Sequence, residues 1–325
     1  LVALLGKPNV GKSSLVNRVV GQKISIVSDK PQTTRRRLLG ISTTDAYQII
    51  FVDTPGVHEP HTQLGKLLNE LAESAVSDVD AVVAVCDVSR PPSRDDEAIA
   101  RMLDGGGWVR QTAPAPPEFD ANGLPLPPPL PEEPAEGKPS RLVLCLNKMD
   151  LLKAAHVQEN VGAYCRLFGT GAFMLTSVTR GDNVDRLVEM IVSRLPEGPR
   201  LYDEDEITDQ PMRVLAAETI REKAQLLTRQ EVPHALATVV DSWEEDVDAR
   251  GDPIVRITAS LVVEKPGQKA ILIGQKGQMI RRIGSDARAD IERLLGSHVH
   301  LELFVKIRPD WRQNPRMLRD LRYIE

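Results

Sequence analysis

Cysteine is scarce in this chain, with three in 325 residues, at positions 86, 145 and 165, and no CxxC spacing. That count and spacing argue against a disulfide framework and against a thiolate metal site. Cys86 and Cys145 lie inside apolar strand-like runs and read as buried, reduced thiols, which fits a reducing cytosol. No apolar run approaches the roughly 20 residues that a membrane-spanning helix needs. There is no internal repeat and no initiator Met. Leu1 already lies in an apolar stretch, so the start is read as trimmed, with a short targeting segment before it left open. Nor is there an overall positive charge. At a net −5 the chain cannot coat itself in basic groups for a nucleic acid.

What is present is unevenly placed. From Lys265 to Glu325 there are 13 Lys and Arg against 7 Asp and Glu, a local +6 on a remainder of −11. Such a basic end on an acidic body is the footprint of a nucleic-acid contact. The length predicts two domains. In the first, "LVALLG", "YQIIFVDTPG", "AVVAVCDV", "RLVLCLNKMD" and "AFMLTSV" alternate with helical patterns. That alternation predicts a doubly wound, mostly parallel α/β sheet with its function at the strand C-terminal ends. A proline-rich insertion, residues 105–140, reads as an extended, mobile loop, either neutral or a polyproline ligand. The expected boundaries are 1–196 for the first domain, 197–210 for a linker and 211–325 for an α+β second domain with a C-terminal tail.

"GKPNVGKS" fits GxxxxGK[ST] between a strand and a helix, the context that turns the pattern into a phosphate site. Backbone N–H groups of Gly6, Lys7, Pro8, Asn9, Val10 and Gly11, Pro8 excepted, with the helix N-terminus at Ser13 and Ser14, would surround phosphate oxygens. Lys12 is expected on the β and γ phosphates and the Ser13 hydroxyl on Mg²⁺. Asp53, ahead of Thr54 and Pro55, suits the same ion, and the Gly56 N–H can meet a γ-phosphate because no side chain blocks it. The sequence Asn147-Lys148-Met149-Asp150 reads the base. The Asp150 carboxylate can accept from both the ring N–H and the amine of guanine, which adenine does not offer. Lys148 would lay its stem along the base, while Thr176, Ser177 and the Val178 backbone close the far side. Lys12, Asp53 and Gly56 are the expected catalytic groups, together with a threonine still to be placed.

In order and spacing these motifs resemble the translation-factor class of P-loop GTPases. The resemblance implies a mobile switch in "QKISIVSDKPQTTRRR" whose threonine completes the Mg²⁺ shell when GTP is bound. Thr34 is the first choice and Thr33 the reserve. Ras-like members have a water-orienting Gln after DxxG. Here that residue is Val57, so slow intrinsic GTP hydrolysis is expected. In related GTPases an asparagine at the place of Asn9 holds a K⁺ ion in lieu of an arginine finger. Asn9 either does the same or only shapes the loop.

The second glycine-lysine loop is "IGQKGQMIRRIG". Two glycines in an amphipathic stretch, each costing roughly 1 kcal/mol in a helix interior, mark a tight break between helices. The succession helix, strand, strand, helix, GxxG, helix, strand resembles the type II KH module, whose glycines admit a sugar-phosphate backbone. On that likeness the RNA contacts are Lys269, Ile273, Gly274, Gln275, Lys276, Gly277, Arg281 and Arg282, with a plain solvated basic face as the alternative. A GTPase followed by a KH domain, together with "GQKISIVSDKPQTTRRR", "VDTPGVH", "ITDQP", "ETIREK" and "GQKAILIGQKGQMIRRIG", closely resembles the bacterial Era family of GTPases. The resemblance implies a monomer that binds 16S rRNA near its 3′ end and assists 30S subunit assembly and maturation. It also implies a cytoplasmic place, with peripheral association at the inner face of the cell membrane. The rivals are an RNA-binding scaffold with a non-catalytic nucleotide pocket and a tRNA-modification GTPase, though no residues for the latter's extra cofactor are present. His58 and His61 read as exposed loop residues, His298 and His300 as one face of a strand, and Trp243, Trp311 and Tyr323 as core.

Overall fold

The computed structural model of the chain describes residues 1–28, 30, 33–109, 118–120, 141–247, 251–321 and 323. Most of the proline-rich insertion, and with it the expectation of an extended loop, lies outside these residues. The chain forms two compact units. The first comprises Leu1–Ile24, Thr34–Pro60 and Leu67–Asp209, and the second Ser25–Thr33, His61–Lys66 and Gln210–Glu325.

The apolar runs of the first half become strands: β1 (Val2–Leu5), β2 (Leu38–Thr43), β3 (Gln48–Asp53), β4 (Ala81–Asp87), β5 (Leu142–Asn147) and β6 (Phe173–Leu175). Between them run the helices α1 (Lys12–Val20), α2 (Gln63–Ser74), α3 (Arg94–Gly105), α4 (Val157–Leu167) and α5 (Val184–Val192). The sheet order is β2-β3-β1-β4-β5-β6, parallel except for β2, which pairs antiparallel with β3. β1 and β5 are buried along their whole length, as strands covered by helices on both faces must be. Cys86, Cys145 and Cys165 are free and buried. Burial pushes the thiols of Cys145 and Cys165 up to about 12, so they stay protonated and unreactive.

Strand β2 was not expected. It follows the arginine run and offers only "LLGIST", too short a pattern to separate from a loop. Its outer edge is covered by the linker segment, since the Ile41 N–H donates to the Ile207 carbonyl (2.8 Å) and the Leu39 N–H to Asp209 Oδ1 (3.3 Å). Covering an edge in this way removes a row of exposed backbone donors. Register matters more for function. Leu4 pairs with Asp53, and Asp87 with Asn147, so the polar ends of β3, β4 and β5 reach the same rim of the sheet.

In the second unit α6 (Met212–Leu227) and α7 (Val232–Ala235) precede β7 (Ala237–Val247) and β8 (Pro253–Val263). Then come α8 (Pro266–Ile273), α9 (Gln278–Leu295), β9 (His298–Ile307) and α10 (Pro315–Asp320). The sheet order is β7-β8-β9, with β7–β8 antiparallel and β8–β9 parallel. Apolar residues of α6 and α9, among them Ile220, Ala224, Ile283 and Ile291, pack with Ile257 and Leu261 of β8 in one buried core. Trp311 is fully buried, donates from Nε1 to the Ala235 carbonyl and stacks on Tyr323 at 5.8 Å, so both rings belong to the interior. His298 and His300 are exposed around buried Val299 on β9. The Ser25–Thr33 stretch is anchored within this unit by α6. There Glu222 Oε1 accepts the Val27 N–H at 2.9 Å, and the buried Arg221, paired with Glu218, donates to the Thr33 carbonyl.

Candidate functional site

The glycine-rich loop leaves β1 and turns into α1 at Gly11, whose positive φ of 107° starts the helix. Lys12 lies within the loop, 6% exposed, with Nζ donating to the carbonyls of Gly6 (2.9 Å) and Lys7 (3.1 Å). Burial pulls its ammonium down to about 8 against the opposing charge of Asp53. Lys7 turns outward instead, its Nζ lying 2.7 Å from Asp96 Oδ2 and 3.2 Å from Ser93 Oγ at the start of α3. Asp96 is fully buried and also caps that helix, accepting the Ser93 N–H at 2.8 Å.

The Ser13 hydroxyl donates to Asp53 Oδ2 at 2.7 Å and lies 2.8 Å from Thr34 Oγ1. Three hard oxygen donors thus meet at the helix start, with no nitrogen or sulfur among them, a set that fits Mg²⁺ with phosphate oxygens and waters completing the shell. The Thr33 hydroxyl is engaged locally, donating to the Lys30 carbonyl at 2.7 Å. Between Thr33 and Thr34 the geometry therefore favours Thr34. Thr54 is turned into the sheet, its hydroxyl bound to the Leu4 carbonyl at 2.5 Å. Gly56 passes so close to the loop that an added Cβ would sit 2.6 Å from the Pro8 nitrogen. Only glycine fits there. Val57 is 8% exposed, packed in the core, with its N–H directed to the Gly6 carbonyl. Asn9 holds a left-handed backbone at φ 63°, and His58 is fastened to the Gly56 carbonyl through Nδ1 at 3.0 Å.

On the base side Asn147 is the tie. Its Nδ2 donates to the Val10 carbonyl at 2.7 Å, and its Oδ1 accepts the Val178 N–H at 3.0 Å and the Thr176 hydroxyl at 3.4 Å. The Val178 N–H, expected to face the base, is therefore engaged with Asn147. Ser177 is buried and closes its loop by accepting from Gly181 and Asp182. Met149 donates its N–H to the Thr176 carbonyl. Asp150 sits on the single turn Met149–Leu151, and no protein group among the described residues binds its carboxylate. Lys148 has an unusual φ of 65°, and its ammonium reaches Asp87 Oδ2 at 2.8 Å. Asp87 was missed in the sequence, as were the roles of Arg221 and Glu222 within "ETIREK", and Asp96, which the sequence suggested was solvated, is fully buried. For Asp87 the signal was the carboxylate that ends an otherwise apolar strand.

At the second loop α8 stops at Gly274 (φ 69°) and α9 starts from Gly277 (φ 75°), with Lys276 between them at φ 50°. Gln275 and Lys276 are exposed at the tip, and Lys269 and Ile273 are half-buried beside it. Arg281 folds back, its guanidinium donating to the Lys276 and Gly277 carbonyls, so it braces the loop. Arg282 remains exposed, with Asp286 at 4.0 Å. Among the described residues no group of His, Cys, Asp and Glu forms another metal site.

Residues 1–111 match the family described as "50S ribosome-binding GTPase" and residues 231–312 the KH domain family. The chain is 41% identical to GTPase Era of Geobacter metallireducens, over 99% of this chain and 96% of that protein. It is also 41% identical to GTPase Era of Leuconostoc citreum, over 100% and 96%. A crystal structure of Era in complex with MgGDPNP and nucleotides 1506-1542 of 16S ribosomal RNA is similar over 100% of this chain and 98% of that one. Its TM-score is 0.85 at 34% identity. A variant of Aquifex aeolicus Era bound to GDP.AlF4- has a TM-score of 0.84, also at 34% identity, over the same shares of the two chains.

Proposed function

This chain belongs to the Era family of GTPases and hydrolyses GTP to GDP and phosphate, and from that premise we propose that its GTP-bound form binds the 3′ end of 16S rRNA through the KH domain and serves 30S subunit assembly. The observation that carries the nucleotide half is the meeting of Ser13, Thr34 and Asp53 within 2.8 Å contacts at the start of α1. Ser13, Thr34 and Asp53 would hold Mg²⁺ directly or through water, Lys12 would meet the β and γ phosphates, and the Asp150 carboxylate would select guanine. The Asn147 side chain joins the phosphate loop to the base-reading loop, so one ligand can span both.

The RNA half rests on the Gly274–Gly277 break, the exposed Lys276 and Arg282, and the likeness to the RNA-bound relative. The family description of the first 111 residues names the 50S ribosome, whereas the relative similar over both domains holds 16S nucleotides. A likeness spanning the KH domain speaks to the RNA more directly, which favours the small subunit. Domain limits of 1–196 and 211–325 around a 197–210 linker, a monomeric state and a cytoplasmic place complete the proposal. Peripheral membrane association is suggested by the family likeness alone, and no helix among the described residues is long and apolar enough to cross a membrane.

Val57 lies in the core, which supports slow intrinsic turnover; K⁺ at Asn9 in the role of an arginine finger is proposed on the family likeness alone, against an Asn9 that only shapes the loop. Faster hydrolysis in K⁺ than in Na⁺ is the expected result, and equal rates remove the K⁺ role. GTP turnover should be measured with Mg²⁺, with and without an oligonucleotide of the 16S 3′ end. Turnover, with RNA binding lost in Gly274→Asp plus Gly277→Asp, is the expected result. No turnover under either condition would leave an RNA-binding scaffold instead.

A further inference from the structure

We propose that Asp87 is the positioning residue for Lys148, holding the lysine ammonium so that its aliphatic stem stands ready as one wall of the guanine pocket. This rests on the guanine-nucleotide site argued above and adds to it a residue that touches neither phosphate nor metal donors.

Three observations on the first unit carry it. Asp87 ends β4 directly opposite Asn147 in the parallel β4–β5 register, so the carboxylate is delivered to the residue next to Lys148. Its Oδ2 receives the Lys148 ammonium at 2.8 Å, with the two side chains 14% and 31% exposed. Finally, Asp87 is itself fixed. Oδ1 accepts the Ser89 hydroxyl at 2.5 Å and the Ser89 N–H at 3.2 Å, while the Asp87 carbonyl accepts from the Tyr164 hydroxyl at 3.1 Å. Burial works against its ionisation, yet the hydrogen bonds from Lys148 and Ser89 prevail and hold the carboxyl below its ordinary range.

Lys148 occupies a left-handed backbone conformation that a non-glycine residue keeps only where its surroundings fix it. A four-carbon stem with a free head samples many rotamers, and ordering it around a ligand costs affinity. A head already bound at Asp87 removes that cost. The contact is the same whichever phosphates are present, so it should act on ground state and transition state alike. An interaction of that kind changes KM and Kd and leaves kcat alone.

The test uses the full chain with Mg²⁺, by titration calorimetry with GDP and by steady-state GTP hydrolysis. The near-isosteric Asp87→Asn should raise Kd and KM about tenfold, the worth of one charge-assisted bond, with kcat within about twofold. Asp87→Glu, which keeps the charge, should stay within about threefold of the parent. In a Lys148→Met background, Asp87→Asn should change Kd by less than about twofold, because the partner it acts through is gone. An unchanged Kd in Asp87→Asn overturns the proposal. So does an equal loss with and without the lysine ammonium, or a fall in kcat matching the rise in KM. A parent that binds ADP as tightly as GDP overturns it from beneath, and that failure belongs to the guanine site and not to Asp87.

Discussion

Lys12 shows what one residue can do to both stability and function. Its ammonium is buried against loop carbonyls with its pKa near 8, below the ordinary 10.5. In the nucleotide-free protein the unfolded chain therefore holds this proton more tightly, and the charged lysine opposes folding by about 3 kcal/mol below pH 8. That opposition fades as pH rises from about 8 towards 10.5. Lys12→Met should accordingly be the more stable protein at pH 7, with the difference from the parent shrinking through pH 9 and gone by 10.5, in paired urea titrations. The same variant should lose Mg²⁺-dependent nucleotide binding. Residues such as Ser13, Asp53 and Asn147 were legible in the sequence because their motifs fix both residue type and strand end. Between Thr34, the first choice, and Thr33 the sequence could not decide, since adjacent threonines differ only in where the backbone aims them. Asp87 escaped because its partner lies 61 positions away and only the β4–β5 register brings them together.

Between elements, the phosphate loop is tied to α3. Lys7 is partly exposed and could turn its charge to water, but Asp96 is buried and cannot. Removing the lysine strands a buried carboxylate, whereas neutralising the aspartate does not. Lys7→Met is expected to cost about 3 kcal/mol or more, and Asp96→Asn nearer 1 kcal/mol, chiefly a weakened helix cap. Chemical denaturation that ranks them in the opposite order would refute the asymmetry. The loop between α8 and α9 is constrained differently. At Gly274 a Cβ would lie 2.6 Å from the Met279 Cβ in a backbone of positive φ, so Gly274→Ala should destabilise the second unit by about 1–3 kcal/mol. An unchanged denaturation midpoint would contradict that packing. The GxxG break was readable because two glycines have no other use in an amphipathic helix. β2 was not, because its evidence is in its partners: β3 on one side and residues 207–209 on the other.

At the scale of the whole molecule, one hydrophobic core among the described residues surrounds the six-stranded sheet and a separate one surrounds β7–β9. Separate cores argue against a single all-or-none transition. A ligand bound by the first unit should stabilise it by RT ln(1 + [L]/Kd), about 2.7 kcal/mol at a hundredfold excess over Kd. Calorimetric unfolding should then show two transitions, of which Mg²⁺ and GDP raise one, and a single transition that shifts as a block would contradict this. Alternating strands and helices, then helix and strand order around GxxG, made the two-domain plan legible. The mixed residence of Ser25–Thr33 and His61–Lys66 in the second unit was not, since contacts such as Glu222 with Val27 join residues 195 apart. The central claim is that the first unit selects a guanine nucleotide. It is tested most directly by titrating this chain, freed of nucleotide, with GDP and with ADP in Mg²⁺. A pairing site of the Asp150 kind predicts GDP bound on the order of 10⁴-fold more tightly, and equal affinities would contradict the account.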